Sequence, residues 1–417
     1  MEAVPFVPGL GWTAPFAIFL LAIAVLPLVA PLFWESNLKK LGVAALLGIP
    51  VLGLYLTHHP RALIHTAADY VSFMVLLGSL FVICGGVMLD GDLQATPRVN
   101  TAFLAVGSFV ASFVGTTGAS MLLIRPLLRT NRERRSVVHT VVFFIFLVSN
   151  IGGCLTPLGD PPLFLGYLQG VPFSWTFRLA PEWLLTSGLL LIIYFVWDTR
   201  AYARETVADR REDRLALRPL RLAGTENLVL LFGIVVAAAV LHAPWREAAM
   251  VTLALASLKR TPRDLRQANH FSFHPILEVA AVFAGIFLTM IPALDLLRAR
   301  GAALGVREPW QFFWASGLLS SFLDNAPTYL TFLALAQGQG MTAEVVGVPH
   351  RVLAAISLGA VFMGANTYIG NGPNFMVRSI ALSRGVKMPG FGGYMLYSGA
   401  VLLPVFVLVT LVFFARG

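Results

Sequence analysis

Residues 149–162 read SNIGGCLTPLGDPP and sit between two apolar arms, 137–147 and 163–168. Glycines at 152, 153 and 159 and prolines at 157, 161 and 162 rule out one continuous helix through this stretch. Glycine loosens the backbone, and proline both lacks an N–H and clashes with the preceding turn. Inside hydrocarbon, a broken helix survives only where protein or a watery cavity satisfies the freed backbone groups. A second stretch of this kind, GANTYIGNGPN at 364–374, interrupts an apolar segment of the C-terminal half. Any fold of this chain has to bury or hydrate both breaks.

The hydrocarbon setting follows from composition. Of 417 residues, 57% are hydrophobic and only 12% are charged, against about 25% charged in a soluble domain. The net charge of +9 does not point to nucleic acid, because the basic residues fall in short loops between apolar runs. They mark topology instead. Cys84 and Cys154 both lie in apolar segments, so no disulfide framework is expected. No Lys or Arg precedes the first apolar run, which reads as a retained span rather than a cleaved signal.

A span needs about 20 apolar residues. In the first half, runs at 14–34, 38–56 and 68–89 are followed by a hairpin-like segment at 99–128, whose polar tip lies at Gly115–Gly118. The broken span at 137–169 and a run at 182–197 complete residues 1–197. Residues 198–222 carry seven arginines and five acids and read as a charged cytoplasmic linker. The order then repeats in 223–417: runs at 226–242, 245–258 and 275–297, a hairpin at 310–336, a broken span at 352–383 and a last run at 392–414. The expected fold is therefore all-α and polytopic, with two inverted repeats. Each repeat has five spans and one re-entrant hairpin, and the broken helices meet at the midplane. Placing both termini outside puts 20 basic residues in inner loops, among them Lys39, Lys40 and Arg134, and eight outside, including Arg416.

Interrupted spans in corresponding halves are a sequence pointer to a transport site. Asp160 and Asp324 are the acids nearest the breaks, and an intramembrane carboxylate is a functional candidate by default. Each could also cap a half-helix. Around them lie the oxygen donors Thr116, Thr117, Asn150, Thr156, Asn325, Asn366, Thr367, Asn371 and Asn374. Such oxygens suit a hard cation, and Na⁺ is placed at Asn150, Asp160, Asp324, Asn325 and Asn366, with Asp160 and Asp324 as the proton-coupling pair. Cys154, inside the first break, is expected to meet water in at least one state. The eight histidines show no metal-ligand spacing, and Glu226, Asp69 and Glu278 read mainly as helix-start acids. No P-loop, zinc motif or nucleophile elbow is present. An enzyme is not expected, and no cofactor is required beyond Na⁺ and H⁺ as transported ions.

At Asn150-Ile-Gly-Gly-Cys-Leu-Thr-Pro-Leu-Gly-Asp160 and Leu323-Asp-Asn-Ala-Pro327 the chain resembles the ion transporter superfamily. That group includes NhaD-type sodium/proton antiporters, arsenite pumps and citrate or dicarboxylate carriers, and the antiporter branch is the most similar. The resemblance implies a scaffold and a transport unit in each protomer, a homodimer, and a multi-pass protein of the inner cell membrane with lipid and small ions as its partners. Na⁺/H⁺ antiport by alternating access is the expectation. The alternatives are an H⁺- or Na⁺-coupled carrier of citrate-like anions or arsenite, a channel and, most distantly, an intramembrane enzyme.

Overall fold

The computed structural model describes residues 6–415; Arg416, counted above as an outer charge, lies outside them. The first helices are α1 (Ala14–Val29), α2 (Pro31–Trp34), α3 (Asn37–His58) and α4 (Pro60–Cys84). Strand β1 (Met88–Asp92) precedes α5 (Pro97–Val114), α6 (Thr116–Thr130) and α7 (Val138–Leu147). The first break separates α7 from α8 (Pro161–Leu168), and α9 (Ala180–Ala203) follows. Next come α10 (Val207–Leu215), β2 (Arg218–Ala223), α11 (Glu226–Val240), α12 (Trp245–Arg260), α13 (Arg263–Ala268) and α14 (His274–Arg300). The chain continues through α15 (Pro309–Ser320), α16 (Asn325–Gln337), α17 (His350–Met363), α18 (Gly372–Ser383) and α19 (Phe391–Val409). Among the described residues, seven helical segments are long and apolar enough to cross a membrane. The molecule is helical and polytopic.

Three local readings change. The first run is not one helix: it stops at Val29 and restarts at Pro31, where proline suits a first helical turn. The hairpin tip between α5 and α6 is a single residue rather than a stretch, because Gly115 at φ 81 reverses the chain at once, a conformation that favours glycine. Residues 198–222, expected only as a charged linker, carry regular secondary structure. They finish α9, form α10 and form β2, which pairs antiparallel with β1. Helix α10 starts with a capping box in which Thr206 and Asp209 bond each other's backbone. The Thr206 hydroxyl, foremost, holds the Asp209 carboxyl below its ordinary range. The two-strand ribbon is the exception to the all-α expectation; charge density in the sequence hid it.

Packing divides the long helices by the faces they bury. Helix α14 runs along α3, and close approach is allowed by glycine: a Cβ at Gly48 would sit 2.7 Å from Leu288, and one at Gly285 2.8 Å from the Ala44 Cβ. Polar contacts close both ends of that pair, Lys40 Nζ to Glu278 at 2.5 Å and Tyr55 Oη to Asp295 at 2.8 Å. Lys40, read above as a loop charge, is thus buried inside the fold. Helix α7 and helix α17 are buried on every side, from Val141 to Val148 and from Val352 to Met363. A helix that is apolar all round belongs in a core, and these two lead into the breaks.

Arg134 and His139, assigned only to loop charge and to no role in the sequence, anchor a buried network. Arg134 holds Asp198 through Nη2 at 2.7 Å and Nη1 at 3.0 Å, and His139 Nε2 lies 2.8 Å from the same carboxylate. Asn100 reaches Asp198 at 3.5 Å and exchanges amide hydrogen bonds with Asn131. Glu205 accepts from the backbone N–H of Arg135, and Asp213 from that of Ala95. These contacts fasten the stretch after α9 to the base of α5 and α7. Removing one member strands a buried charge, at a cost of about 3–5 kcal/mol. Arg134→Gln is therefore expected to lower the thermal unfolding midpoint strongly in detergent. The paired change Arg134→Met with Asp198→Leu should recover most of the loss. Equal loss in both variants would show that packing, not charge pairing, sets the stability there.

Candidate functional site

Four half-helices begin at one place. Thr116 opens α6, Asp160 precedes α8, Asn325 opens α16 and Asn371 precedes α18. Their side chains converge on the Asp160 carboxylate: Thr116 donates to Oδ1 at 2.8 Å, Asn325 to Oδ2 at 2.6 Å and Asn371 to Oδ1 at 3.2 Å. Asp160 is 1% exposed, so a charge there relies on these donors and on the positive ends of the helices. The chain reaches this geometry because Pro161 and Pro162 suit the first turn of a helix and forbid its extension backward.

A second layer holds the breaks in shape. Asn150 donates to Ile145 O at 2.8 Å and to Asn374 Oδ1 at 2.7 Å, and accepts from Asn371 at 3.2 Å. Asn374 in turn donates to the carbonyls of Gly364 and Thr367. The hydroxyls of Thr156 and Thr367 donate to the carbonyls of Ser112 and Ser321, each on the helix that leads into a hairpin tip. They also accept from the backbone N–H two residues on, Leu158 and Ile369. Ser112 Oγ donates to Gly152 O, and Ser321 Oγ to Met363 O. The two halves therefore use one hydrogen-bond scheme. In that register Asp160 corresponds to Asn371, Thr116 to Asn325 and Gly115 to Asp324. Asn366 lies one residue before Thr367, as Leu155 lies before Thr156, so Asn150 and Asn366 are not positional partners.

The expected site residues thus separate. Thr116, Asn325 and Asn371 touch Asp160; Asn150 and Asn374 reach it through Asn371. Thr156 and Thr367 brace backbone. Asp324 caps α16 by accepting from Ala326 N at 3.0 Å and stays half-buried. Neither Asp324 nor Asp160 forms a salt bridge among the described residues. Thr117 faces a small apolar pocket of about 70 Å³ shared with Leu80, Leu158, Pro161 and Ile276. Asn366 donates to Ser321 Oγ at 2.9 Å. Ser112, Ser321, Tyr394 and Ser398 were not singled out; the last two bind the carbonyls of Ala365 and Asn366. The Ser-Phe dipeptide common to both hairpins was the available signal for the first two.

Two further features bear on chemistry. The side-chain oxygens of Asn325 and Asn366 are buried without any hydrogen-bond donor, and such an orphan oxygen calls for a ligand or a strain argument. The set around Asp160 is also closed to solvent in this conformation, and Cys154 is fully buried with it. Thr116, Asp160, Asn325 and Cys154 are thus all away from solvent in this structure.

A multi-pass membrane protein with paired broken helices around a buried carboxylate has the build of a transporter. Residues 7–414 match the family described as "Putative citrate transport", and the chain belongs to that family. It is similar to an uncharacterized transporter of Mycobacterium bovis and to one of Mycobacterium tuberculosis. Each is 28% identical over 383 residues, covering 83% of this chain and 86% of the relative. A 46 kDa membrane protein of Mycobacterium leprae is also 28% identical, over 307 residues, or 68% of this chain and 69% of its own length.

Glycine tests the geometry. A Cβ at Gly159 would press on the backbone of Gly153 at 2.7 Å, whereas one at Gly372 would meet nothing within 4 Å. Gly159→Ala should abolish a monodisperse peak in size-exclusion chromatography, and Gly372→Ala should leave it intact. A well-folded Gly159→Ala protein would mean that the first break is looser than described.

Proposed function

We propose that the chain is a secondary active transporter that exchanges Na⁺ for H⁺ by alternating access, with Asp160 as the central coupling carboxylate and Asp324 as its partner. The observation that carries this reading is a pair of carboxylates at the breaks, Asp160 held by neutral donors and Asp324 capping a half-helix, with no cationic side chain paired to either among the described residues. A mobile cation or protons must then balance them, and one carboxylate cannot hold both at once. The orphan oxygens of Asn325 and Asn366 supply neutral ligands of the kind Na⁺ takes. No cofactor enters this reading. The same reading takes the protein as a homodimer of the inner cell membrane, as the superfamily resemblance implies.

A second reading has its own support. The family description concerns citrate, and a basin of about 960 Å³ at the far ends of α6 and α18 is lined by Arg125, Arg132, Arg384 and Lys387. Such a mouth attracts anions. In that case Asp160 would bind the coupling ion rather than the cargo.

The two readings separate in proteoliposomes containing a pH dye. A Na⁺ or Li⁺ gradient should drive proton movement in the wild type, and Asp160→Asn should reduce it to the leak rate. Asp324→Asn keeps an amide oxygen able to cap α16, so its loss of exchange reports charge rather than folding. Asn366→Ala, which does not touch Asp160, should raise the half-saturating Na⁺ concentration about tenfold, equivalent to roughly 1.4 kcal/mol. Near-normal exchange in the doubly substituted Asp160→Asn, Asp324→Asn protein would falsify the antiport reading. Citrate uptake without cation-driven proton flux would establish the second.

The inverted arrangement of the two halves is part of the same proposal, because hairpins that enter from opposite sides meet only if the repeats are antiparallel. Cysteine labelling should place 198–222 and 259–270 on one side and 336–350 on the other. Labelling of all three from a single side would refute it.

A further inference from the structure

Helix α9 carries a graded face that neither the carboxylate site nor the transport reading uses. Ile193, Trp197, Arg200 and Arg204 follow one another at helical spacing over eleven residues, roughly 16 Å of helix. With Arg135, His139 and Tyr397 they line a groove of about 610 Å³. Its apolar end is open to the surroundings, with Ile192 62% and Val196 42% exposed. At mid-height Trp197 stacks on Tyr397, ring centroids 5.7 Å apart, and on His139 at 6.1 Å. The charged side chains at its far end, Arg135, Arg200 and Arg204, are all basic.

Arg200 and Arg204, at the basic end, have no counter-charge, because the nearby acids are already paired. Asp209 is committed to Arg135 at 2.9 Å, and Asp198 to Arg134 and His139. Among the described residues Arg200 and Arg204 make no ion pair and no side-chain hydrogen bond. Arginines at a helix C-terminus gain something from the macrodipole and can snorkel. Neither effect explains a groove that continues beneath them between aromatic rings into exposed aliphatic surface.

We propose that this groove seats an anionic glycerophospholipid of the leaflet in which α9 ends. The phosphate lies between Arg200 and Arg204, the glycerol region packs on Trp197 and Tyr397, and the acyl chains run down Ile192, Ile193 and Val196. Charge complementarity selects the headgroup, because basic pockets between membrane helices favour anionic lipid. The open aliphatic end selects a lipid over a soluble phosphate. Occupancy touches the transport core through two elements: His139 belongs to α7, and Tyr397 adjoins Ser398, which holds the Asn366 carbonyl at 2.7 Å. The site stands whether the transported ion is Na⁺ or an organic anion.

The test is a lipid titration of the full chain in detergent, followed by native mass spectrometry, with dioleoyl phosphatidylglycerol and dioleoyl phosphatidylcholine. The wild type should retain phosphatidylglycerol in preference. Arg200→Gln with Arg204→Gln should weaken that lipid about thirtyfold, fivefold or so for each arginine, and leave phosphatidylcholine unchanged. Both positions are exposed, so the variant should unfold at the wild-type temperature in phosphatidylcholine. Arg260→Gln with Arg263→Gln, an exposed basic pair outside the groove, should bind as the wild type does. No headgroup preference, or equal loss in both pairs, overturns the proposal. So does a second copy of the chain in the groove, seen as a dimer that dissociates in the Arg200, Arg204 variant without any change in bound lipid. Binding by free inorganic phosphate as effective as by phosphatidylglycerol would also overturn it.

Discussion

The Asp160 carboxylate and its three neutral donors are the contact on which the rest of the arrangement turns. A buried charge of this kind is tolerated only when hydrogen bonds and dipoles surround it. Here that requirement draws four helix N-termini to one spot. Thr116 and Asp160 come from the first half, Asn325 and Asn371 from the second, so the carboxylate also joins halves that are far apart in sequence. The glycines and threonines of the breaks exist to allow this approach. Gly153 and Gly159 pack backbone on backbone, as do Gly364 and Gly370, and each threonine hydroxyl ties its loop to the neighbouring helix.

Outside that centre the structure separates rigid from adjustable parts. The α3–α14 pair is close-packed and pinned at both ends by Lys40–Glu278 and Tyr55–Asp295. At the other end of the scale, Gln169 just after α8 meets the long helices through polar contacts, accepting from Arg298 at 3.3 Å and donating to Asp69 at 3.0 Å. Polar contacts at a solvent-facing mouth exchange readily with water, whereas interdigitated side chains do not. This contrast suits the alternating-access reading proposed above, in which a buried site opens while part of the molecule stays fixed.

The asymmetry between the halves matters as much as their likeness. The shared hydrogen-bond scheme puts an acid at 160 and an amide at 371, and a glycine at 115 where the other hairpin has Asp324. One half thus contributes its carboxylate from a broken span, the other from a hairpin tip. A strictly repeated sequence would have placed acids in matched pairs, four carboxylates in place of two.

Much of this was legible before any coordinates. Alternation of apolar runs with glycine–proline interruptions marked the helical, membrane-spanning character and located both breaks, because helix-breaking residues inside hydrocarbon leave few options. The acids and amides beside them were readable for the same reason. The buried network of Arg134, His139 and Asp198 was not, nor the pairing of Lys40 with Glu278. A cation at a loop edge looks the same in sequence whether it meets water or a partner more than two hundred residues away. The ribbon formed by 88–92 and 218–223 escaped notice because strand pairing is a property of two segments, and one was read as the end of an apolar run and the other as part of a charged linker. Local sequence determined where the chain could not remain helical. Tertiary structure decided which of the freed polar groups face Asp160 and which only brace the loops, because that choice depends on distances between segments that no local pattern encodes.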